Sequence, residues 1–366
     1  MLFGYPIEAT EDNWLHDCLT QIIQVIHLNV ANGETSTDWL TVISEPYKSR
    51  LTKILRVSTK SNPKKLSLGD KLKNYQIKLA SLSTPEQDKL LQAFNNQNKI
   101  PQLLCGELTC NAINDFPESI QETVKFVFEA AFKLLTNLEI RDKHYKEIYD
   151  ACEYHICPFC GCEYFDAPGA PREALDHYIP EHKYPFAAAN LRNLVPMGNK
   201  CNSRYKHTDD VLRKADGTPR KSFDPYNHRM VSISLENSQP FKGLKGDLGE
   251  PFPRWVIEFD SNSEEIDTWN EVFDIRERYK RDILNESFKS YLREFGNYCK
   301  SWNFEPDSHE ALVEAIDRYV FFQDGNGFKD KAFIKAAVFR MLRLHCQNGN
   351  QRLVQLILDN VNGVQI

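Results

Sequence analysis

CPFCG at residues 157–161, LDHYIP at 175–180, NLRNLVP at 190–196 and KCNSRYK at 200–206 follow one another in a single stretch of the chain. Taken alone, each piece has an ordinary explanation: a Cys-x-x-Cys pair also arises by chance, and an Asp-His pair is often a surface turn. Their order and spacing carry the information. Pro, Gly, His and Cys accumulate around them and long helical stripes stop, which predicts a small irregular module at 151–230.

The sequence on both sides of this module is predicted to be helical. Thr84-Pro85-Glu86-Gln87 has the pattern of a helix start with Thr84 as the cap. Apolar residues recur at helical spacing from Val124 to Leu135, and such stripes return after residue 267. Two β-prone stretches, 230–235 and 255–259, lie between.

The expected fold class is therefore mainly α with a small α+β insert. We expect three domains: a helical N-terminal domain at 1–150, the central module at 151–230, and a C-terminal domain at 231–366 in which a short β segment precedes helices.

The Cys-x-x-Cys at 157–160 is the first sign of a metal site. Two thiolates three positions apart on a tight turn can occupy adjacent corners of a tetrahedral zinc site. Four of the ten cysteines fall between residues 152 and 162, and clustering of this kind favours a metal over a disulfide framework. A reduced, packed thiol cluster without metal is the alternative.

The four pieces in this order resemble the HNH endonuclease family, the ββα-metal fold, in its cysteine-containing branch. The resemblance covers about residues 152–228 and implies a central ββα-metal HNH nuclease module between the helical flanks. It implies that His177 is the general base and that Asn193 steadies the loop. It also implies that Asp176 and Asn202 hold a catalytic Mg²⁺ or Mn²⁺, ions that prefer oxygen ligands.

The resemblance further implies a structural zinc held by Cys157, Cys160 and Cys201. The family usually has two cysteines before the final asparagine, whereas this chain has Gly198 at the first of these positions. Structural zinc normally takes four ligands. The fourth is therefore open, with His207 or Cys162 as the leading candidates, followed by Cys152 and His155.

Charge is segregated along the chain. The net charge is −6, yet residues 48–78 contain ten Lys or Arg against one acid, Asp70. This basic stretch is predicted to form a helix, a loop and a helix, and either contacts DNA or is a solvated face. Near the motifs, the residues expected to bind nucleic acid are Lys206, Arg204, Arg192 and Lys200.

The resemblance implies a metal-dependent HNH endonuclease that hydrolyses DNA phosphodiester bonds, by nicking or by double-strand cutting. Helical flanks around this motif resemble bacterial anti-phage or restriction effectors, with DNA and an operon-encoded ATPase or sensor as expected partners. Double-strand cutting would need a homodimer or two separate encounters with the DNA. The alternatives are a non-catalytic nucleic-acid-binding or assembly subunit with this fold, and an RNA-directed nuclease.

A cytoplasmic protein without a membrane partner is expected. No apolar run approaches the ~20 residues that a membrane helix needs, and the N-terminal residues lack a signal-peptide pattern.

Overall fold

The computed structural model describes residues 1–55, 66–170, 175–227, 230–241, 253–261 and 263–363. These residues are mainly helical. The helices are α1 (Trp14–Ala31), α2 (Tyr47–Ile54), α3 (Leu68–Ala80), α4 (Thr84–Gln97), α5 (Ile100–Leu104), α6 (Glu118–Asn137), α7 (Ile140–Ala151), α8 (Glu264–Phe273), α9 (Ile275–Arg278), α10 (Asn285–Ser301), α11 (His309–Asn326), α12 (Ala332–Gln347) and α13 (Gln351–Val361). The strands are β1 (Leu175–His177), β2 (Leu194–Pro196), β3 (Ile233–Ser234) and β4 (Glu258–Phe259).

The chain is organised as two compact units. The first unit consists of Gly4–Glu153 and Phe165–His228, and the second consists of Met1–Phe3, Tyr154–Tyr164 and Arg229–Ile366. The first unit therefore contains β1, β2 and helices α1–α7, whereas the cysteine-rich segment at 154–164 belongs to the second unit.

The first unit has a helical core against which the loop between β1 and β2 packs. Phe186 in this loop is fully buried and meets the rings of Phe94 and Phe128 edge-on, at centroid distances of 5.4 and 5.2 Å. Edge-to-face pairs of this kind contribute about 0.5–1.5 kcal/mol each beyond the area they bury. Helices α4 and α6 therefore fix the loop that connects the two strands.

The second unit combines helices α8–α13 with the antiparallel pair β3–β4, in which Ile233 is opposite Phe259. Aromatic residues contribute to its packing: Phe295, Tyr319 and Phe339 lie within 5.4 Å of one another by ring centroids. Both strands fall inside the two stretches predicted to be β-prone.

The helical predictions are confirmed where the structure describes them, with one correction. The stripe from Val124 to Leu135 lies within α6, and its buried members include Val124, Val127 and Leu135. The cap of α4 is Ser83 and not Thr84, because Ser83 and Glu86 form the reciprocal capping box. Residue Thr84 is instead the first helical position.

The basic stretch 48–78 contains most of α2 and most of α3, and its central residues 56–65 lie outside the described part of the chain. Among the described helices, none is long and apolar enough to cross a membrane.

Candidate active site and metal centre

The antiparallel pair β1–β2 is the frame of the candidate active site. Asp176 is opposite Val195 and His177 is opposite Leu194, while residues 178–193 form the connecting loop. Asn193, fully buried, holds this loop: its Oδ1 accepts from the Ile179 N–H at 2.7 Å, and its Nδ2 donates to the carbonyls of Ile179 and Ala187 at 3.0 and 3.3 Å. The asparagine thus satisfies three backbone groups that would otherwise be buried without partners.

His177 lies at the end of β1 with a fixed ring orientation. Its Nε2 donates to the Ala188 carbonyl at 2.9 Å and lies 3.5 Å from a carboxylate oxygen of Glu181. Phe132 packs on the ring at a centroid distance of 4.4 Å. A carbonyl only accepts, so Nε2 carries the proton, and in the neutral imidazole Nδ1 is the nitrogen with the free lone pair.

Burial sets the charge state of His177. The loss of water around the ring lowers the pKa of His177, and the nearby Glu181 carboxylate and the bond to Ala188 act in the opposite direction. Asp176 also raises this pKa and Lys206 lowers it, so the charges of both residues reach the ring. The net effect favours the neutral form, which is the form that a general base requires.

The carboxylate of Asp176 forms an ion pair with a lysine. The Nζ atom of Lys206 lies 2.8 Å from Oδ2 of Asp176, and the lysine side chain is only 2% exposed. Lys206 is the last residue of a π-helical turn, Cys201–Lys206, and His207 after it has a positive φ of 40°. Wide turns and left-handed non-glycine residues are uncommon and often occur at functional sites.

The other residues expected to contact nucleic acid differ in exposure. Lys200, just before the π-helical turn, and Arg204, within it, are both exposed. Arg192, by contrast, is engaged by Asp224 at 2.6 Å and lies over the ring of Tyr226 at 5.1 Å. Asn202 is half-buried on the same turn, where its carbonyl accepts from the His207 N–H.

The Cys-x-x-Cys segment forms a tight turn, here called the knuckle (residues 157–161). The Gly161 N–H donates to the Cys157 carbonyl at 2.7 Å, and Gly161 has a φ of 65°. A Cβ at Gly161 would lie 2.5 Å from Leu2 and 2.7 Å from Phe333, so only glycine fits. Donors from the second unit complete the turn: Trp269 Nε1 bonds the Phe159 carbonyl, and the Tyr279 hydroxyl bonds the Cys160 carbonyl, both at 2.9 Å.

Cys157, Cys160 and Cys201 are buried, and their thiols could bind a metal ion such as zinc. Buried thiols are the donor set that structural zinc favours, so three of the usual four ligands fit. Neither His207 nor Cys162 belongs to this group.

The two leading candidates for the fourth zinc ligand make contacts with other groups. His207 is exposed, and its Nδ1 lies 3.2 Å from the Thr208 hydroxyl. The Cys162 thiol donates to the Cys160 carbonyl at 3.1 Å, and this bond together with burial raises the pKa of Cys162 well above its usual value. A carboxylate oxygen of Glu163 lies 3.9 Å from the Cys160 sulfur.

A catalytic divalent ion does not fit at Asp176 in this arrangement. The ammonium of Lys206 already neutralises the carboxylate, and it would repel a dication that shared the same oxygen atoms. Within the described residues, no group of three or more His, Cys, Asp and Glu ligands includes Asp176.

Two contacts at the candidate site were not foreseen from the sequence. Glu181 lies four residues after His177. An acid at this spacing is the sequence signal from which a residue that orients the imidazole ring could have been predicted. The pairing of Lys206 with Asp176 had no sequence signal, because the residues are thirty positions apart.

Comparisons of the chain with protein-family models, with curated proteins and with solved structures each gave no match. The HNH resemblance therefore rests on the motif residues alone and stays a prediction.

Proposed function

We propose that this protein is an endonuclease that hydrolyses DNA phosphodiester bonds, with His177 as the general base. The observation that carries the proposal is the bond from Nε2 of His177 to the Ala188 carbonyl. It fixes the tautomer and leaves the Nδ1 lone pair to take a proton from water.

The neighbouring residues are assigned positioning and binding roles. Glu181 orients the ring through Nε2, and Asn193 holds the loop that contains Ala188. Lys200 and Arg204 are proposed to contact phosphates, because they are exposed cations just before and within the turn that ends at Lys206. General-base catalysis contributes about 10²–10⁴-fold to the rate.

The finer assignments extend this proposal. A structural zinc bound by Cys157, Cys160 and Cys201 would stabilise the fold and take no part in hydrolysis. We place the protein in the cytoplasm, as a defence or restriction effector that acts with a partner protein such as an ATPase or sensor. DNA is the proposed substrate. Preferential cleavage of RNA in matched competition would show that RNA is the substrate instead.

A second candidate is a non-catalytic nucleic-acid-binding or assembly subunit. The ion pair between Lys206 and Asp176 favours it, because the ammonium occupies the carboxylate that was expected to hold a catalytic ion. This candidate predicts that DNA binding is unaffected by His177→Ala and that metal ions do not stimulate cleavage.

Cleavage of supercoiled plasmid tests the proposal. Wild-type protein is expected to nick or linearise the plasmid in Mg²⁺ or Mn²⁺, and His177→Ala should lower the rate at least ~100-fold. His182→Ala is the matched control, since His182 is an exposed histidine in the same loop. Equal rates in wild type and a folded His177→Ala variant would overturn the assignment.

A further inference from the structure

Two adjoining cavities lie within the second unit. The first, of about 260 Å³, is lined by α10, by the start of α12 and by residues at and beside the knuckle. The second, of about 340 Å³, is lined mainly by α10 and α11. Glu294, Asp330 and Lys335 line both cavities, so the two meet at these residues. Together they have the size of a site for a small molecule, about 300–1,000 Å³.

The first cavity has a buried hydroxyl in its wall. Tyr291 is 3% exposed, and its hydroxyl has no hydrogen-bond partner among the described residues. Burial raises the pKa of Tyr291 to about 12, so the hydroxyl keeps its proton at neutral pH. Ser287 acts on this pKa in the opposite direction, and Cys162 and Glu294 raise it further; all three residues line the same cavity. The hydroxyl is therefore a donor on the cavity side of the ring, available to an acceptor.

Lys331 places a positive charge at the start of a helix. It is the N-cap residue of α12, it makes no side-chain cap, and it is half-buried in the wall of the first cavity. A cation is unfavourable at this position because the N-terminal end of the helix dipole is positive. The ion pairs of the described residues do not include Lys331. An anion bound here would be stabilised by the lysine and by the helix dipole together.

The backbone at this point is also strained. Asp330 and Lys331 are consecutive non-glycine residues with positive φ values of 48° and 60°. Such conformations cost free energy and cluster at ligand sites, where the surrounding structure holds them. Tyr164 holds this one, because its hydroxyl accepts from the Asp330 N–H at 3.2 Å.

The acidic side chains of the first cavity already have partners. Glu294 pairs with Lys335 at 2.6 Å, and the carboxylate of Asp330 accepts from the Tyr164 hydroxyl at 3.5 Å. The ammonium of Lys331 and the hydroxyl of Tyr291 are the donors that remain for a ligand. Because both are donors and one is a cation, they favour a ligand with an anionic group.

The second cavity adds an aromatic wall. Tyr298, Tyr319 and Phe322 line it, and the ring centroid of Phe322 lies 5.5 Å from that of Tyr298 and 6.5 Å from that of Tyr319. Phe322 is 45% exposed, so part of its ring is free to contact a ligand. Aromatic side chains of this kind stack with nucleobases regardless of the base, because every base has a π-face.

We propose that the two cavities form a binding site for a free nucleotide, with its phosphate at Lys331 and its base against Phe322. A nucleotide combines an anionic group and a flat ring in one small molecule, which are the two features that the cavities favour. The bound phosphate would neutralise the lysine at the start of α12. The site lies in the second unit and does not depend on the proposed nuclease function.

Isothermal titration of the intact protein with AMP, GMP, CMP and UMP tests the proposal without any cleavage assay. At least one of them is expected to bind, and Lys331→Met should raise its Kd at least ~10-fold. Tyr291→Phe removes only a hydroxyl without a partner, so this variant should fold, and its Kd should rise several-fold. The proposal is overturned if none of the four binds below ~1 mM, or if wild type and both folded variants have the same Kd.

Lys300→Met is the matched control for the loss of charge. Lys300 is an exposed lysine on α10 that lines neither cavity, so the Kd of this variant should stay within about two-fold of wild type. Equal losses of affinity in Lys300→Met and Lys331→Met would reveal a general charge effect and contradict a phosphate contact at Lys331.

The aromatic wall has a matched pair of neighbouring residues. Phe322→Leu should raise the Kd for the nucleotide about five-fold or more, because stacking with the base is lost. Phe321 is 82% exposed and lines neither cavity, so Phe321→Leu should bind as wild type does. Inorganic phosphate is the second probe: its binding should depend on Lys331 and not on Phe322. Equal effects of the two phenylalanine variants would contradict the placement of the base.

Discussion

The β1–β2 pair and the knuckle were both identified from short motifs, yet their polar groups are satisfied in different ways. In the β1–β2 pair, side chains and backbone satisfy one another: Asn193 bonds three backbone groups and Lys206 pairs with Asp176. In the knuckle, hydrogen bonds fix the backbone, while the thiols of Cys157 and Cys160 belong to the group that could bind a metal. The first arrangement is complete without an ion, whereas the second is arranged as a ligand set.

This difference predicts that substitutions in the two regions have different effects on the zinc content of the protein. Purified wild-type protein should contain about one zinc per chain, and Cys157→Ser or Cys160→Ser should remove most of it because the ligand set is incomplete. Asn193→Ala should leave the zinc content unchanged. Zinc is measured by elemental analysis of the purified variants.

Two other cysteines serve as controls for the zinc measurement. Cys152 is buried outside the group, and burial raises the pKa of its thiol to about 11, so Cys152→Ser should retain zinc. Cys162→Ser decides whether that residue is the fourth ligand. If Cys157→Ser retained the zinc content of the wild type, the knuckle would not be a ligand set and the two regions would not differ in this way.

Acid should destabilise the first unit, because its helices bury neutral histidines. Burial lowers the pKa of His16 and of His27 from 6.5 to about 4. Between these pH values the unfolded chain binds protons that the folded chain does not, so stability falls as the pH falls from 6.5 towards 4. The slope is about 1.4 kcal/mol per pH unit for each histidine, and it disappears above pH 6.5.

Urea denaturation at pH 7 and pH 5 measures this effect. His27→Gln retains hydrogen-bonding groups towards the Tyr75 hydroxyl, which lies 2.7 Å from His27 Nε2, and it should reduce the loss between these pH values by about 2 kcal/mol. An identical loss in wild type and His27→Gln would show that this histidine is not buried in its neutral form.

A further prediction compares two asparagines. Asn193→Ala leaves the buried N–H of Ile179 without a partner and should cost about 2–3 kcal/mol of unfolding free energy. Asn237, near β3, makes an exposed bond to Glu258 at 2.7 Å, so Asn237→Ala should cost less than about 0.5 kcal/mol. Equal costs in chemical denaturation would mean that the β1–β2 loop does not depend on its buried amide.

The sequence could predict the parts of the fold that depend on local pattern. The stripe at 124–135 gave the buried face of α6, and the β-prone stretches contain β3 and β4, because helical and strand periodicity are local properties. The pairing of the strand that contains Asp176 and His177 with residues 194–196 was not predicted from the sequence.

The remaining features depend on contacts that no local pattern encodes. The pairing of Lys206 with Asp176 follows from a π-helical turn and from tertiary packing, and neither has a sequence signature. The cap of α4 was misplaced by one residue because Ser83 and Thr84 are both good caps, and only the reciprocal bond of Glu86 distinguishes them.

Chemical rescue at position 177 tests the central claim most directly. His177→Gly removes the imidazole beside Phe132, and its single-turnover cleavage of a labelled DNA duplex is measured with increasing free imidazole. The account predicts a rate at least ~100-fold below wild type that rises with imidazole concentration. A folded His177→Gly variant that cleaves at the wild-type rate without imidazole would contradict it.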